Sequence, residues 1–253
     1  MASEAELEKL LSDGDWGAVK TAQALGQAAW PTLEKGSRMA DYRSRQITMA
    51  CAGRLGGAHA ASILVAGLAD SFINVRLAAA GQLSGSPPPH ALDGILDVLT
   101  TSSEDDVCQL LALAAGRLPS SRTTRVLLSV APRQDAVGEN AQLALAKLGN
   151  QEYIQAHLVK LSSDAPATRY RALAELIYIA DPALASHAME LLADRRAAQR
   201  IGHERAWRYR RVCDQALDTV VSLRDLKPNF PTGPEQIYSD AQLAEIARHG
   251  SPR

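Results

Sequence analysis

A chain of 253 residues can hold one extended domain or two small ones around a substantial core. Apolar residues make up 46% of it but aromatics only 4%, so alanine and leucine carry the core, which suits close-packed helices rather than sheets. The formal net charge of −1 argues against a nucleic-acid surface spread over the whole body and leaves room for a local basic patch.

The chain starts acidic: "SEAELEKLLSDGD" (3–15) sets five acids against one lysine. This start lacks the basic residues and apolar run of a signal peptide, and no apolar stretch reaches the ~20 residues of a membrane span. The expected location is the cytoplasm. Residues 3–36 predict a first helix pair, with Trp16 and Trp30 covering its interface.

From residue 50 onward a repeat sets in. "ACAGRLGG" (50–57) returns as "AAAGQLSG" (78–85) and "LAAGRLPS" (113–120). Aligned on the closing leucine, five copies end at Leu55, Leu83, Leu118, Leu148 and Leu176, separated by 28, 35, 30 and 28 residues. That period marks a solenoid or array. Four residues before each leucine stand Cys51, Ala79, Ala114, Ala144 and Ala172; two before it stand Gly53, Gly81, Gly116, Ala146 and Ala174. Two columns of small residues predict close helix contacts with two neighbours, which offset the ~1 kcal/mol that a helical glycine costs.

Shorter amphipathic segments alternate with these helices: "AHAASILVAGLAD" (58–70), "PPPHALDGILDVL" (87–99), "SSRTTRVLLSVAP" (120–132), "NQEYIQAHLVKLSS" (150–163) and "DPALASHAMELLAD" (181–194). An Asp or Ser is expected to open the following helix in "DSFINVRLAAA", "SSEDDVCQLLALAA" and "DAPATRYRALAEL". The unit is a helix–turn–helix of roughly 30 residues. No stretch alternates with period two, so no strand is predicted. Beyond Leu226, "KPNFPTGPEQ" reads as a turn and "SDAQLAEIARH" (239–249) as a last short helix, with Ser239 and Gln242 spaced as a capping box.

"DSFINVRLAAAGQL" (70–83), with an Asp in the turn, then Val-Arg, then an Ala-rich helix, resembles the bacterial HEAT-like repeat, including the type named after phycobilisome lyases. "DYRSRQITMACAGRLGG" (41–57) and "RYRRVCDQALDTVVSL" (208–223) look like further copies, and the resemblance covers about residues 15–225. It implies an all-α, right-handed α-solenoid of about six to seven helix–turn–helix repeats over residues 1–228. Residues 229–253 then supply a proline-rich turn and a short capping helix. The resemblance also implies a ladder of Asp–Arg contacts, for which 102–118 and 135–148 lack the usual arginine.

Catalytic patterns are absent: there is no HExxH, GxSxG or GxxxxGK[ST]. The six histidines (His59, His90, His157, His187, His203, His249) are scattered and expected to be solvated or capping. Some HEAT-like proteins are di-iron oxygenases built on several His-Glu pairs; here only His203-Glu204 makes one. Others are phycobilin lyases, but Cys51, Cys108 and Cys213 fall where small buried residues are wanted and are read as reduced thiols. No enzyme, metal or cofactor is therefore expected.

"RRAAQRIGHERAWRYRR" (195–211) carries seven arginines against a single acid, Glu204, and interrupts the spacing, since the next anchor, Val220, comes 44 residues after Leu176. Two roles are open to it: local pairing with Asp194, Asp214 and Asp218, or bidentate recognition of a partner's anions. The column before each anchor leucine (Arg54, Gln82, Arg117, Lys147, Glu175) forms a second, mainly basic ladder, joined by Arg43, Arg45, Arg76, Arg169 and Arg171. The residues expected to bind a partner are Arg45, Arg54, Arg76, Arg117, Lys147, Arg171, Arg205, Trp207, Arg208, Tyr209, Arg210 and Arg211. The expected function is a protein-binding scaffold or adaptor with a concave, partly basic surface for an acidic partner, an antidote to a bacterial toxin being one form of it. The alternative is nucleic-acid binding of the kind seen in HEAT-like proteins resembling alkylpurine DNA glycosylases, with Trp207 beside Asp214.

Overall fold

The computed structural model describes residues 2–202 and 206–250. They form two compact units, one running to Leu148 and the other starting at Gly149. The first contains α1 (Glu4–Ser12), α2 (Gly17–Leu25), α3 (Trp30–Gly36), α4 (Tyr42–Leu55), α5 (Gly57–Gly67), α6 (Ile73–Gly85), α7 (Leu92–Thr101), α8 (Asp105–Ala115), α9 (Ser121–Val130) and α10 (Ala136–Lys147). Each odd-numbered helix packs on the one that follows it, while α2, α4, α6, α8 and α10 lie side by side as one layer. The second unit continues the pattern with α11 (Gln151–Leu161) on α12 (Pro166–Ile179) and α13 (Ala185–Glu190) on α14 (Val212–Leu223), closed by α15 (Asp240–Gly250) against α13 and α14. Seven helix pairs result, in agreement with the expected six to seven.

The first column of small residues does what the spacing predicts. Cys51, Ala79, Ala114, Ala144 and Ala172 are all buried to within 1% of complete. The second column is not uniform. A Cβ on Gly53 would stand 2.3 Å from Gln82 Oε1 and 2.6 Å from Gln82 Cβ, so α4 and α6 meet there through the missing side chain. A Cβ on Gly81 would meet nothing within 4 Å, and Ala174 is exposed. At the N-terminus Trp30 is buried and stacked on His59, whereas Trp16 is 56% exposed.

Turns between paired helices are fastened by arginine. Arg45, the fourth residue of α4, donates from Nη1 to the Met39 carbonyl (2.8 Å) and forms a two-pronged pair with Asp70 in the next turn (2.6 and 2.9 Å). Arg76, fourth in α6, donates to the Asp70 carbonyl and pairs with Glu104 in the same way. Arg169, fourth in α12, donates to the Ser163 carbonyl and pairs with Asp194 (2.8 Å). In all three the accepting carbonyl lies six residues upstream. Asp70 is therefore not the N-cap expected of it: Phe72 holds that position, and Asp70 accepts from the Phe72 amide and from Arg45. Ser102 and Asp164 likewise precede the caps of their helices, Glu104 and Ala165.

The two stretches that lack the arginine solve the problem differently. The fourth residue of α8 is Cys108, whose thiol faces the Ser102 carbonyl at 3.8 Å, again six residues upstream. Asp105 is instead met from the other side by Arg133, in the turn before α10, which reaches back to it (2.5 Å) while holding Asp135 (2.7 Å). Gly138 makes room, since a Cβ there would fall 2.0 Å from the Arg133 carbonyl oxygen. The ladder persists with its direction reversed.

One element corrects the expectation of no strands. β1 (Ala197–Ile201) and β2 (Arg208–Arg211) form an antiparallel ribbon pairing Arg200 with Tyr209 and Ile201 with Arg208, with an irregularity between Ala197 and Gln199. Its period is hidden because the inward-facing member of β2 is an arginine, Arg210, rather than an apolar residue. The glycine that follows β1, Gly202, has φ +98°, where L side chains are strained, and a Cβ there would fall 2.5 Å from the Ala206 carbonyl oxygen.

Two predictions follow from this packing. Gly53→Ala is expected to lower Tm, because overpacking against Gln82 outweighs the ~1 kcal/mol of helix propensity gained, whereas Gly81→Ala is expected to raise it; calorimetry of both reads the sign. The Arg45 hydrogen bond, followed by the Phe72 amide, holds Asp70 below the ordinary carboxylate value, against the upward pull of burial. Its stabilisation is thus present above the unfolded carboxyl pKa and lost as pH falls through the lowered one. Asp70→Asn should cost about 1–2 kcal/mol at neutral pH, and a thermal series into acid should show its deficit closing below roughly pH 4.

A candidate partner-binding ribbon

Of the seven arginines in 195–211, four are neutralised inside the second unit. Arg195 pairs with Asp240 (2.7 Å) and Arg196 with Asp194 (2.9 Å). Arg210 is completely buried. It pairs with Asp218 (2.5 Å), donates to Tyr170 Oη (2.9 Å) and Gln215 Oε1 (3.3 Å), and holds the Gln236 carbonyl (2.9 Å). Arg211 pairs with Asp214 (2.8 Å) and donates to the Tyr238 carbonyl (2.6 Å). Asp218 in turn accepts from Tyr238 Oη (2.5 Å) and the Gly233 amide (3.0 Å).

These bonds tie the base of the ribbon to α12, α14 and the proline-rich strap at 229–238. Burial pushes the Asp214 carboxyl up, but the Arg211 side chain and the Tyr238 and Arg211 amides outweigh that and leave it lowered. Burial, reinforced by the Asp218 carboxylate that accepts its proton, pushes the Tyr238 phenol well up, so it stays a donor.

Outside this base the ribbon is open. Trp207 is 43% and Tyr209 59% exposed, and Arg200 and Arg208 are exposed beside them. The Arg200 guanidinium lies 3.6 Å from the Trp207 ring centroid, a cation–π contact that fixes the indole. Neither Arg200 nor Arg208 has a carboxylate within ion-pair distance among the described residues.

The structure therefore sorts the expected partner-binding residues. Trp207, Arg208 and Tyr209 come together at the surface. Arg210 and Arg211 do not join them, because their guanidinium groups are spent on the internal network; Arg205 lies outside the described residues, as does the His203-Glu204 pair. Arg45 and Arg76 are also withdrawn, as turn fasteners.

Arg54 and Arg117 are exposed at the ends of α4 and α8, Arg117 donating to the Ser84 carbonyl (3.0 Å). Burial, then the neighbouring Arg117, lowers the Lys147 pKa. On α12, Arg171 pairs with Glu175 (3.3 Å), which also faces His157 (2.9 Å) and Lys160 (3.5 Å). His157 is thus buried rather than solvated or capping. The three cysteines are buried and free, and burial pushes Cys51 to about 12. Arg200, absent from the expected set, was legible only through the pairing that sets it opposite Tyr209.

No protein-family model matches the sequence, and no curated protein matches it. Among solved structures, the complex of CpcE and CpcF of phycocyanin lyase from Nostoc sp. PCC7120 is similar over 99% of this chain and 96% of that one, with a TM-score of 0.60 and 16% identity. YibA of Escherichia coli matches over 87% and 81% (TM-score 0.49, 17% identity), and an engineered protein over 89% and 98% (TM-score 0.42, 16% identity). Together with the helix pairs, the first of these likenesses defines the fold as an all-α, HEAT-like repeat architecture. No helix among the described residues is long and apolar enough to cross a membrane.

Arg210→Ala takes the paired cation from the mostly buried Asp218 and leaves the Gln236 carbonyl and Tyr170 hydroxyl without their donor, and should cost about 3–5 kcal/mol. Arg208→Glu, on the open side, should leave Tm within a degree or two of the parent. Thermal melts of the two variants read the contrast.

Proposed function

We propose that this protein is a non-enzymatic, cytoplasmic protein-binding scaffold whose second unit docks an acidic partner through the open side of the β1–β2 ribbon. One observation carries the reading: Trp207, Arg208 and Tyr209 are exposed on a ribbon whose base is held by the buried Arg210–Asp218 and Arg211–Asp214 pairs. Aromatic and arginine side chains dominate binding energy at protein interfaces, and a rigid platform loses little entropy on docking. The CpcE–CpcF neighbour, which is a complex of two proteins, lends support from the same architecture. A toxin neutralised by the scaffold is one form that the partner would take.

The nucleic-acid alternative loses its key residue. Asp214 has no exposed surface and accepts from Arg211 and the Tyr238 amide, so it offers no base to a substrate. The test is affinity capture from native lysate with the parent and with Trp207→Ala/Arg208→Glu, after showing equal Tm. The parent should retain a stoichiometric protein that the variant loses by roughly thirtyfold, the size of a ~2 kcal/mol anchor. Equal recovery by both proteins, or capture of nuclease-sensitive material in place of a protein, overturns the reading.

A further inference from the structure

Beside the exposed aromatics lies a pocket of about 400 Å³ lined by Ile201, Gly202, Ala206, Trp207, Arg208 and Glu235. Its apolar wall is Ile201 and Trp207, and Gly202 and Ala206 complete the lining. Arg200 covers the Trp207 ring at 3.6 Å, so the wall is set before anything binds. Arg200 and Arg208 bring two charges that no described carboxylate answers, and Glu235 is the single acid among the described lining residues.

We propose that this pocket takes one large apolar side chain from an acidic segment of the protein partner, with carboxylates on either side of that side chain engaging Arg200 and Arg208. The inference rests on the protein-binding reading of the ribbon and names the epitope that reading leaves open. The size suits a single inserted side chain with its adjoining backbone, at the low end of the range of ligand pockets. Charge complementarity selects the occupant: Arg208 in the lining and Arg200 against the Trp207 ring, neither met by a described carboxylate, stand beside an apolar slot, a pattern that carboxylates around a hydrophobic residue fit. A phosphate backbone is the poorer fit, since its affinity comes from many cationic contacts, and here two cations share the site with Glu235. Glu235 also gives the site a direction, repelling carboxylates from its own side of the slot.

The probe is a fluorescein-labelled peptide, Asp-Glu-Asp-Leu-Asp-Glu-Asp, titrated by anisotropy with the full chain at low salt. Saturable binding is expected, weakened at least tenfold by Arg208→Glu and by Trp207→Ala, and at least fivefold when the peptide's leucine is replaced by asparagine. Lys20→Glu, on α2 of the first unit, should leave it unchanged. Absence of binding, equal affinity for the leucine and asparagine peptides, or displacement by single-stranded DNA of equal charge at lower concentration overturns the proposal. If lysate capture still depends on Trp207 and Arg208 while the two peptides bind alike, the ribbon remains the docking element and only this epitope falls.

Discussion

The arginine that fastens one turn to the next is the contact on which the helix pairs depend. A helix pair leaves carbonyls exposed where the chain turns, and apolar packing alone does not choose the register between neighbouring pairs. The guanidinium groups of Arg45, Arg76 and Arg169 do both jobs, binding a carbonyl of their own turn and a carboxylate of the following one. Desolvation offsets much of the Coulombic gain in such pairs, so their value lies less in net stability than in the penalty for any arrangement that breaks them. The column of Cys51, Ala79, Ala114 and Ala144 then lets the layer of helices close up in the register so chosen.

The same chemistry sets up the second unit for recognition. Arg210 and Arg211 fasten a β ribbon rather than a helix, using Asp218 and Asp214 of α14 and carbonyls of the strap. With its base satisfied in this way, the ribbon can hold Trp207 and Tyr209 in water without the flexibility that exposed aromatics on a long connection would have. A short, rigid, amphipathic surface of this kind is preorganised for binding.

How far the sequence discloses this depends on which interactions are local. The repeat was legible because small residues recur at a fixed distance from Leu83, Leu118 and Leu176, and packing imposes that spacing directly. The capping box of the last helix was legible too: Ser239 and Gln242 bond as their spacing requires. The sorting of the arginines was not. Nothing local separates Arg208 from Arg210; the difference is made by Asp218, Tyr170 and Gln236, from three separate parts of the chain. The ribbon escaped for a related reason, since a buried arginine in an alternating strand cannot be told from an exposed one by hydropathy. Gly53 and Gly81 occupy equivalent positions and meet different neighbours, so equivalence in the repeat did not mean equivalence in contact.

The reversal at Arg133 bears on how such an array can be lengthened or shortened in evolution. Excision of α5 and α6 would bring Arg45 to Glu104, a cation still facing an acid, because α4 and α6 both point their guanidinium forward. Excision of α7 and α8 would instead deliver Arg76 to a turn where Arg133 already holds Asp135 and has lost Asp105, crowding two cations onto one carboxylate. The chain therefore contains a boundary: modules ahead of it are interchangeable by recombination, while the module that spans it can be inherited only together with its neighbour.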